Sequence, residues 1–215
     1  MAIAVAGPVG GVTAGIATGL AVGMFNGWLT TRIGIPSFLT TLAMMGIAKG
    51  VAMWISATAA VPILSPSYSW LFGGGSVGPI PVLLFWIAAL GGIGHIALLR
   101  SGFGRRVLAT GGGETAARYS GIDTANIKMK VLVLSSCAAA LAGMLYAGRL
   151  QSGRFQLGEG DELSVIAAAV LGGTSLFGGR GRVSDAVLGG LVVAVIANGL
   201  PLITQKAGIQ FVVTG

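Results

Sequence analysis

Gly111-Gly112-Gly113-Glu114-Thr115-Ala116-Ala117-Arg118-Tyr119-Ser120-Gly121-Ile122 is a polar stretch set between long apolar runs, and its surroundings decide how the whole chain is organised. Arg100, Arg105 and Arg106 precede it and Lys128 and Lys130 follow it. With Arg118 these make six basic residues against Glu114 and Asp123 alone, the pattern of a basic loop beside membrane spans. Three glycines release the chain from what precedes them. Glu114 to Arg118 then reads as a short helix, since alanine favours a helix interior and a carboxylate suits the positive end of the helix dipole. Gly121 supplies a left-handed stop. A short amphipathic helix held at a membrane surface can lie in a groove on another protein, and an ordinary basic loop that anchors its flanking helices is the equally simple alternative.

The composition supports a membrane setting. The chain is 54% hydrophobic and 9% charged, and its mean hydropathy of +0.89 exceeds what a soluble domain of 215 residues needs for its core. Its 38 glycines suit helices whose backbones approach closely where lipid gives no hydrophobic drive for association. The net charge of +7 is topology information in so apolar a chain, and nucleic-acid binding is not expected. Cys137 and His95 are single residues of their kind, so neither a disulfide within the chain nor a Cys/His metal site is expected. The start, Met1-Ala2-Ile3-Ala4-Val5, lacks the basic region of a cleavable signal peptide.

Taken in order, residues 9–29 form a first apolar run, ending at Asn26-Gly27-Trp28. Its length of about 30 Å as a helix crosses a bilayer core. Residues 37–57, started by Pro36-Ser37, form a second, with Gly46 and Gly50 one turn apart and Lys49 inside it. A mid-span lysine costs roughly 2.5–3.5 kcal/mol on insertion scales, so Lys49 faces protein or a wet cavity, or snorkels outward. Residues 58–79 carry Tyr68, Trp70 and Phe72 but no charge, which suits a loop resting in the interface. Further spans are expected at 80–99, 131–148, 163–178 and 186–203. The run 163–178 is short and either thin or broken, and the last run is interrupted at Asn198-Gly199-Leu200-Pro201. An apolar stretch begins again at 210–215 and stops, so the chain reads as truncated. The expectation is an all-α polytopic bundle of about six spans and the start of a seventh, a single integral-membrane domain with a short coupling helix.

Charge orients it. With the 111–122 island inside, Arg32, the island, and Arg180 and Arg182 with Asp185 give the inner side a net +6. Arg149, Arg154 and Lys206 balance Glu159, Asp161 and Glu162 outside. The split requires 163–178 to cross the membrane.

No catalytic constellation is present. Gly178-Gly179-Arg180-Gly181-Arg182 resembles a phosphate loop only superficially, lacking a Lys-Ser/Thr pair, and reads as a flexible turn with two anchors. Asp161 and Glu162 read as solvated carboxylates.

Gly111, Gly112, Glu114, Ala116, Arg118, Ser120, Gly121 and Ile122 match a pattern close to GGNEAAxRLSGI, with Gly113 in place of the asparagine and Thr115 in place of an alanine. Three more stretches agree: Asn26-Gly27 with Pro36-Ser37-Phe38 and Thr41-Leu42; Glu162-Leu163 with Ile166-Ala167-Ala168; and Leu171-Gly172-Gly173-Thr174-Ser175-Leu176 with Gly178, Gly179 and Gly181. In order and spacing, over nearly the whole chain, these resemble the ribose/xylose-type sugar permeases, the membrane subunits of bacterial ATP-binding-cassette importers. The resemblance implies about ten spans, of which this chain supplies the fourth to the ninth and the start of the tenth. It implies location in the bacterial inner membrane, a second permease copy, two cytoplasmic ATPase subunits and an extracytoplasmic sugar-binding protein, with no catalysis and no cofactor in the chain itself. It assigns 111–122 to the ATPase dock and the outer loops 58–79 and 149–162 to the binding protein. Thr40, Thr41, Lys49, Thr174, Ser175 and Asn198 are the polar residues expected along the translocation path. A branched-chain amino-acid permease is the nearest rival. A secondary transporter would need ionisable residues mid-membrane, where only Lys49 qualifies.

Overall fold

The computed structural model describes residues 2–203, with side chains described over 7–199. The apolar start expected at 210–215, and Lys206, lie outside the described residues. The fold is helical, in two compact units: one of residues 2–88 with 125–157, the other of 89–124 with the described residues from 158 onward.

In the first unit, α1 (Ala2–Trp28) is broken at Gly7-Pro8, where Gly7 takes φ 71, and continues into a π-helical turn, Leu29–Ile33. After Gly34 and Pro36 the chain re-enters helix as α2 (Ser37–Ser56). α1 packs on α7 (Thr124–Leu150) through a ladder of glycines four residues apart. A Cβ on Gly15 would press on Met144, one on Gly19 would lie 2.8 Å from Ala140 Cβ, and one on Gly23 would lie 2.6 Å from Val133 Cα. Gly27 meets Met129 in the same way. This is small-residue packing of membrane helices, in which missing side chains let the backbones approach. Gly46 and Gly50, which share that spacing on α2, meet nothing within 4 Å.

The segment 58–79 is partly folded into the protein, beyond the loop the sequence leads one to expect. Val61–Pro62 (β1) pairs antiparallel with Ser152–Gly153 (β4), and Ser76–Val77 (β2) with Ile80–Pro81 (β3). Between them, α3 (Pro66–Ser69) and a π-helical turn, Trp70–Gly74, carry Tyr68 and Phe72 into the protein. Their rings stack with centroids 4.7 Å apart, and Phe72 stacks on Trp86 at 5.6 Å. The Tyr68 hydroxyl donates to the Met144 carbonyl at 3.1 Å, and burial pushes its pKa up, so it remains a donor. Gly148 makes room for this cluster: a Cβ there would stand 2.6 Å from the Phe72 carbonyl oxygen.

Among the described residues, four helical segments are long and apolar enough to cross a membrane: Gly7–Ile33, Ser37–Ser56, Val82–Leu99 and Thr124–Leu150. Val82–Leu99 is α4. Most of their side chains are exposed, which a bilayer tolerates and water does not. The chain is therefore a multi-pass membrane protein. The expected count of six spans and part of a seventh is not reached among the described residues. The run 163–178 yields only α8 (Asp161–Leu171), about 16 Å long, far short of a hydrocarbon core of roughly 30 Å. It stops because Gly172 lies against the backbone of Asp185, and Gly173 follows at φ 88. The next helix, α9 (Val183–Ile203), is apolar over Val183–Gly199 and runs on through Pro201 rather than breaking at Asn198. α8 and α9 form a tight hairpin in which Gly189 sits on the Ala168 carbonyl.

Candidate functional site

The island is built from two helices and a turn. Ser101 caps α5 (Gly102–Gly112): its Oγ accepts from the Gly104 N–H at 3.0 Å and donates to the Ala97 carbonyl, which bends the chain sharply off the end of α4. Gly111 and Gly112, expected to be released loop, are the last turn of α5. Gly113 alone is extended, and its carbonyl accepts from the Ala117 N–H at 2.9 Å to start α6 (Glu114–Tyr119).

α6 ends as a Schellman motif. The Gly121 N–H donates to the Arg118 carbonyl at 2.9 Å and the Ile122 N–H to the Ala117 carbonyl at 3.0 Å, with Gly121 at φ 81. Its other hold is a closed cycle of side chains. Arg118 Nη2 donates to Glu114 Oε1 at 3.0 Å and Arg118 Nε to Thr124 Oγ1 at 2.9 Å, while the Thr124 hydroxyl donates to Glu114 Oε1 at 3.3 Å. Thr124, only 2% exposed, is the hub, and it opens α7. The Glu114–Arg118 pair by itself is worth at most about 1 kcal/mol, since both groups are wet, so the buried hydroxyl is what makes the cycle specific. Thr124 was missed in the sequence, although a threonine just before an apolar run is a helix-start signal. Lys128 and Lys130 stand on the first turns of α7 rather than in the loop. Ala117 is buried beneath α6, whereas Thr115, Ala116, Tyr119 and Ser120 face out, Tyr119 at 89% exposure.

Against the end of α5 lies the turn between α8 and α9. A Cβ on Gly111 would stand 2.7 Å from the Gly179 nitrogen, and one on Gly178 would stand 2.6 Å from the Gly111 carbonyl oxygen. Gly178 and Gly179 take φ 88 and 76. Two glycine pairs thus meet backbone to backbone. Arg180 and Arg182 follow this turn directly in the chain, and both are exposed.

The polar residues expected along a path are spread out. Thr40 is buried, with its hydroxyl 3.2 Å from that of Thr30 and donating to the Ser37 carbonyl. Thr41, exposed, bonds the Ser37 and Phe38 carbonyls, and Lys49 is half-buried two turns further along α2. In the other unit, Thr174 and Ser175 belong to the α8–α9 turn, and Asn198, donating to the Ala194 carbonyl, lies about 22 Å along α9 from its start. No single polar cluster gathers them within either unit. The described residues hold no group of three His, Cys, Asp or Glu able to bind a metal ion.

Residues 1–215 match the family model described as "Branched-chain amino acid transport system / permease component". The chain is 37% identical over 191 residues to the ribose import permease protein RbsC of Bacillus subtilis, covering 88% of this chain and 59% of the relative. It is 39% identical over 191 residues to the L-arabinose transport system permease protein AraH of Escherichia coli, covering 88% and 58%. To the xylose transport system permease protein XylH of Escherichia coli it is 39% identical over 146 residues, covering 68% and 37%. The chain thus spans little more than half the length of the curated relatives it matches. No solved structure matches it.

Proposed function

The chain belongs to the branched-chain amino acid transport system permease family, and from that premise we propose that it is the membrane-spanning subunit of an ATP-driven importer that carries a monosaccharide across the bacterial inner membrane. The single observation carrying this reading is the identity of 37–39% to permeases named for ribose and arabinose, over 191 residues. The branched-chain amino acids of the family description are the rival cargo, and the relatives' names weigh against them. The chain holds no cofactor and hydrolyses nothing. ATP is bound and cleaved in separate cytoplasmic subunits, a second permease copy completes the channel, and an extracytoplasmic binding protein delivers the sugar.

Two features of the geometry support the reading. α6 is tied to the start of α7 through Thr124, so a force on the island is delivered to a 27-residue helix rather than absorbed in a loose loop. Closure of the ATPase dimer on ATP moves α5 and α6 as a lever and rocks the spans between outward and inward access. In the first unit, the pairing of β1 with β4 joins 58–79 to 149–162, the two loops the resemblance assigns to the binding protein.

Uptake by vesicles carrying the assembled importer tests the reading. Labelled ribose, arabinose or xylose should enter only with ATP and binding protein. Leucine uptake would favour the rival cargo, and uptake driven by a proton or sodium gradient without ATP would make the chain part of a secondary transporter. Orientation is tested separately with a cysteine at the exposed Thr115 in a Cys137→Ser background. Membrane-impermeant maleimide should react only once the cytoplasmic side is opened, and labelling in intact cells would reverse the topology.

A further inference from the structure

We infer that the α8–α9 turn is a second docking element for the ATPase subunit, with Leu176 and Phe177 as its apolar contacts beside α6; the inference rests on the importer reading. The turn is rigidly made. The Gly178 N–H donates to the Ser175 carbonyl at 3.1 Å, closing a β-turn whose two central residues are Leu176 and Phe177. The Ser175 hydroxyl accepts from the Phe177 N–H at 3.2 Å, and the Ser175 N–H donates to the Arg180 carbonyl at 3.0 Å. A turn held this firmly presents its tip, and the tip is apolar: Leu176 is 72% and Phe177 97% exposed.

Three observations identify the occupant. Gly178 and Gly179 abut Gly111 and Gly112, so the tip is continuous with the island and on its side of the membrane. A protein that grips α5 and α6 therefore reaches Phe177 without reorienting. Tyr119 stands out from α6 as Phe177 does from the turn, which gives two exposed aromatic anchors, the residue type that dominates interface cores. Arg180 and Arg182 follow the tip and Arg105 and Arg106 lie on α5, so the surface fits an apolar pocket with an acidic rim. The lipid surface is the competing cover for an aromatic flanked by arginines, and the experiment separates the two.

A photoreactive benzophenone amino acid is placed in turn at Phe177, Tyr119 and Trp54, the last an exposed residue of α2, in importer assembled in native membranes. Irradiation should join the permease to the ATPase polypeptide from positions 177 and 119 and not from 54. Capture of the ATPase from 119, with only lipid or permease captured from 177, would overturn this inference and leave the importer reading standing. Silence towards the ATPase at both positions would overturn the dock as a whole. Phe177→Asp should lower ATPase co-purification at least tenfold at equal permease abundance, and Phe177→Leu should retain it. Wild-type co-purification with Phe177→Asp would also overturn the inference.

Discussion

Gly178→Val should cut sugar uptake at least tenfold while leaving the permease inserted at normal abundance. Two costs fall on this one residue. At φ 88 it occupies the left-handed region, which a β-branched side chain enters only at about 1–3 kcal/mol. Its Cβ would also lie 2.6 Å from the Gly111 carbonyl oxygen and 3.0 Å from Gly111 Cα, which are backbone atoms that cannot swing aside. The turn must then leave the end of α5. Insertion is unaffected because the spans take no part in the contact. Gly173→Val is the control: it has the same φ but nothing within 4 Å, so it carries the strain without the collision. Release of the turn is read directly, since trypsin should cut after Arg180 and Arg182 faster in Gly178→Val than in either Gly173→Val or the parent. Parental uptake with a parental digestion pattern in Gly178→Val would mean that the turn and α5 are not locked together.

That contact also marks how far the sequence could be read. The stop at Gly121 was legible because a helix end that needs positive φ selects glycine locally, and the neighbours Ala117, Arg118 and Ile122 complete the motif. Gly111 and Gly112 were misread as released loop. What fixes them is a glycine pair almost seventy positions later, and pairwise approach of backbones leaves no local pattern. The burial of Tyr68 and Phe72 was hidden for the same reason. An uncharged aromatic loop has one composition whether it rests on lipid or on Met144 and Gly148, and the latter was decided by a distant helix. The spacing singled out in the sequence, at Gly46 and Gly50, faces open space, whereas the same spacing at Gly15, Gly19, Gly23 and Gly27, passed over there, packs on α7, so spacing marks a helix able to pack closely and not its partner. α8 fell short of a span because Gly172 touches Asp185, again a long-range event. Of the island, the helix and its carboxylate were legible, whereas the approach of Gly178 and Gly179 to Gly111 and the closing of Glu114 and Arg118 on Thr124 are set by packing in three dimensions.

Glu114→Lys should abolish ATPase co-purification and sugar-stimulated ATP hydrolysis with the permease still in the membrane. A carboxylate at the first turn gains about 0.3–1 kcal/mol from the helix dipole, which alone would be a mild loss. Here the same carboxylate accepts from both Arg118 and Thr124. Lysine would remove an acceptor, set a cation against Arg118, and leave the Thr124 hydroxyl without that partner, a combined cost of roughly 1–3 kcal/mol. Six residues cannot remain helical on propensity alone, so α6 would come off α7 and lose its orientation. Thr124→Val separates the two ways in which this could act. It keeps every charge and nearly the same shape but breaks the cycle at its buried hub. If it reproduces the Glu114→Lys defect, Glu114 serves by positioning α6. If Thr124→Val assembles normally while Glu114→Lys does not, the carboxylate meets the ATPase directly. Glu114→Gln, which keeps an acceptor for Thr124, should lose less than either defective variant. Normal ATPase assembly and stimulation in Glu114→Lys would sink both roles.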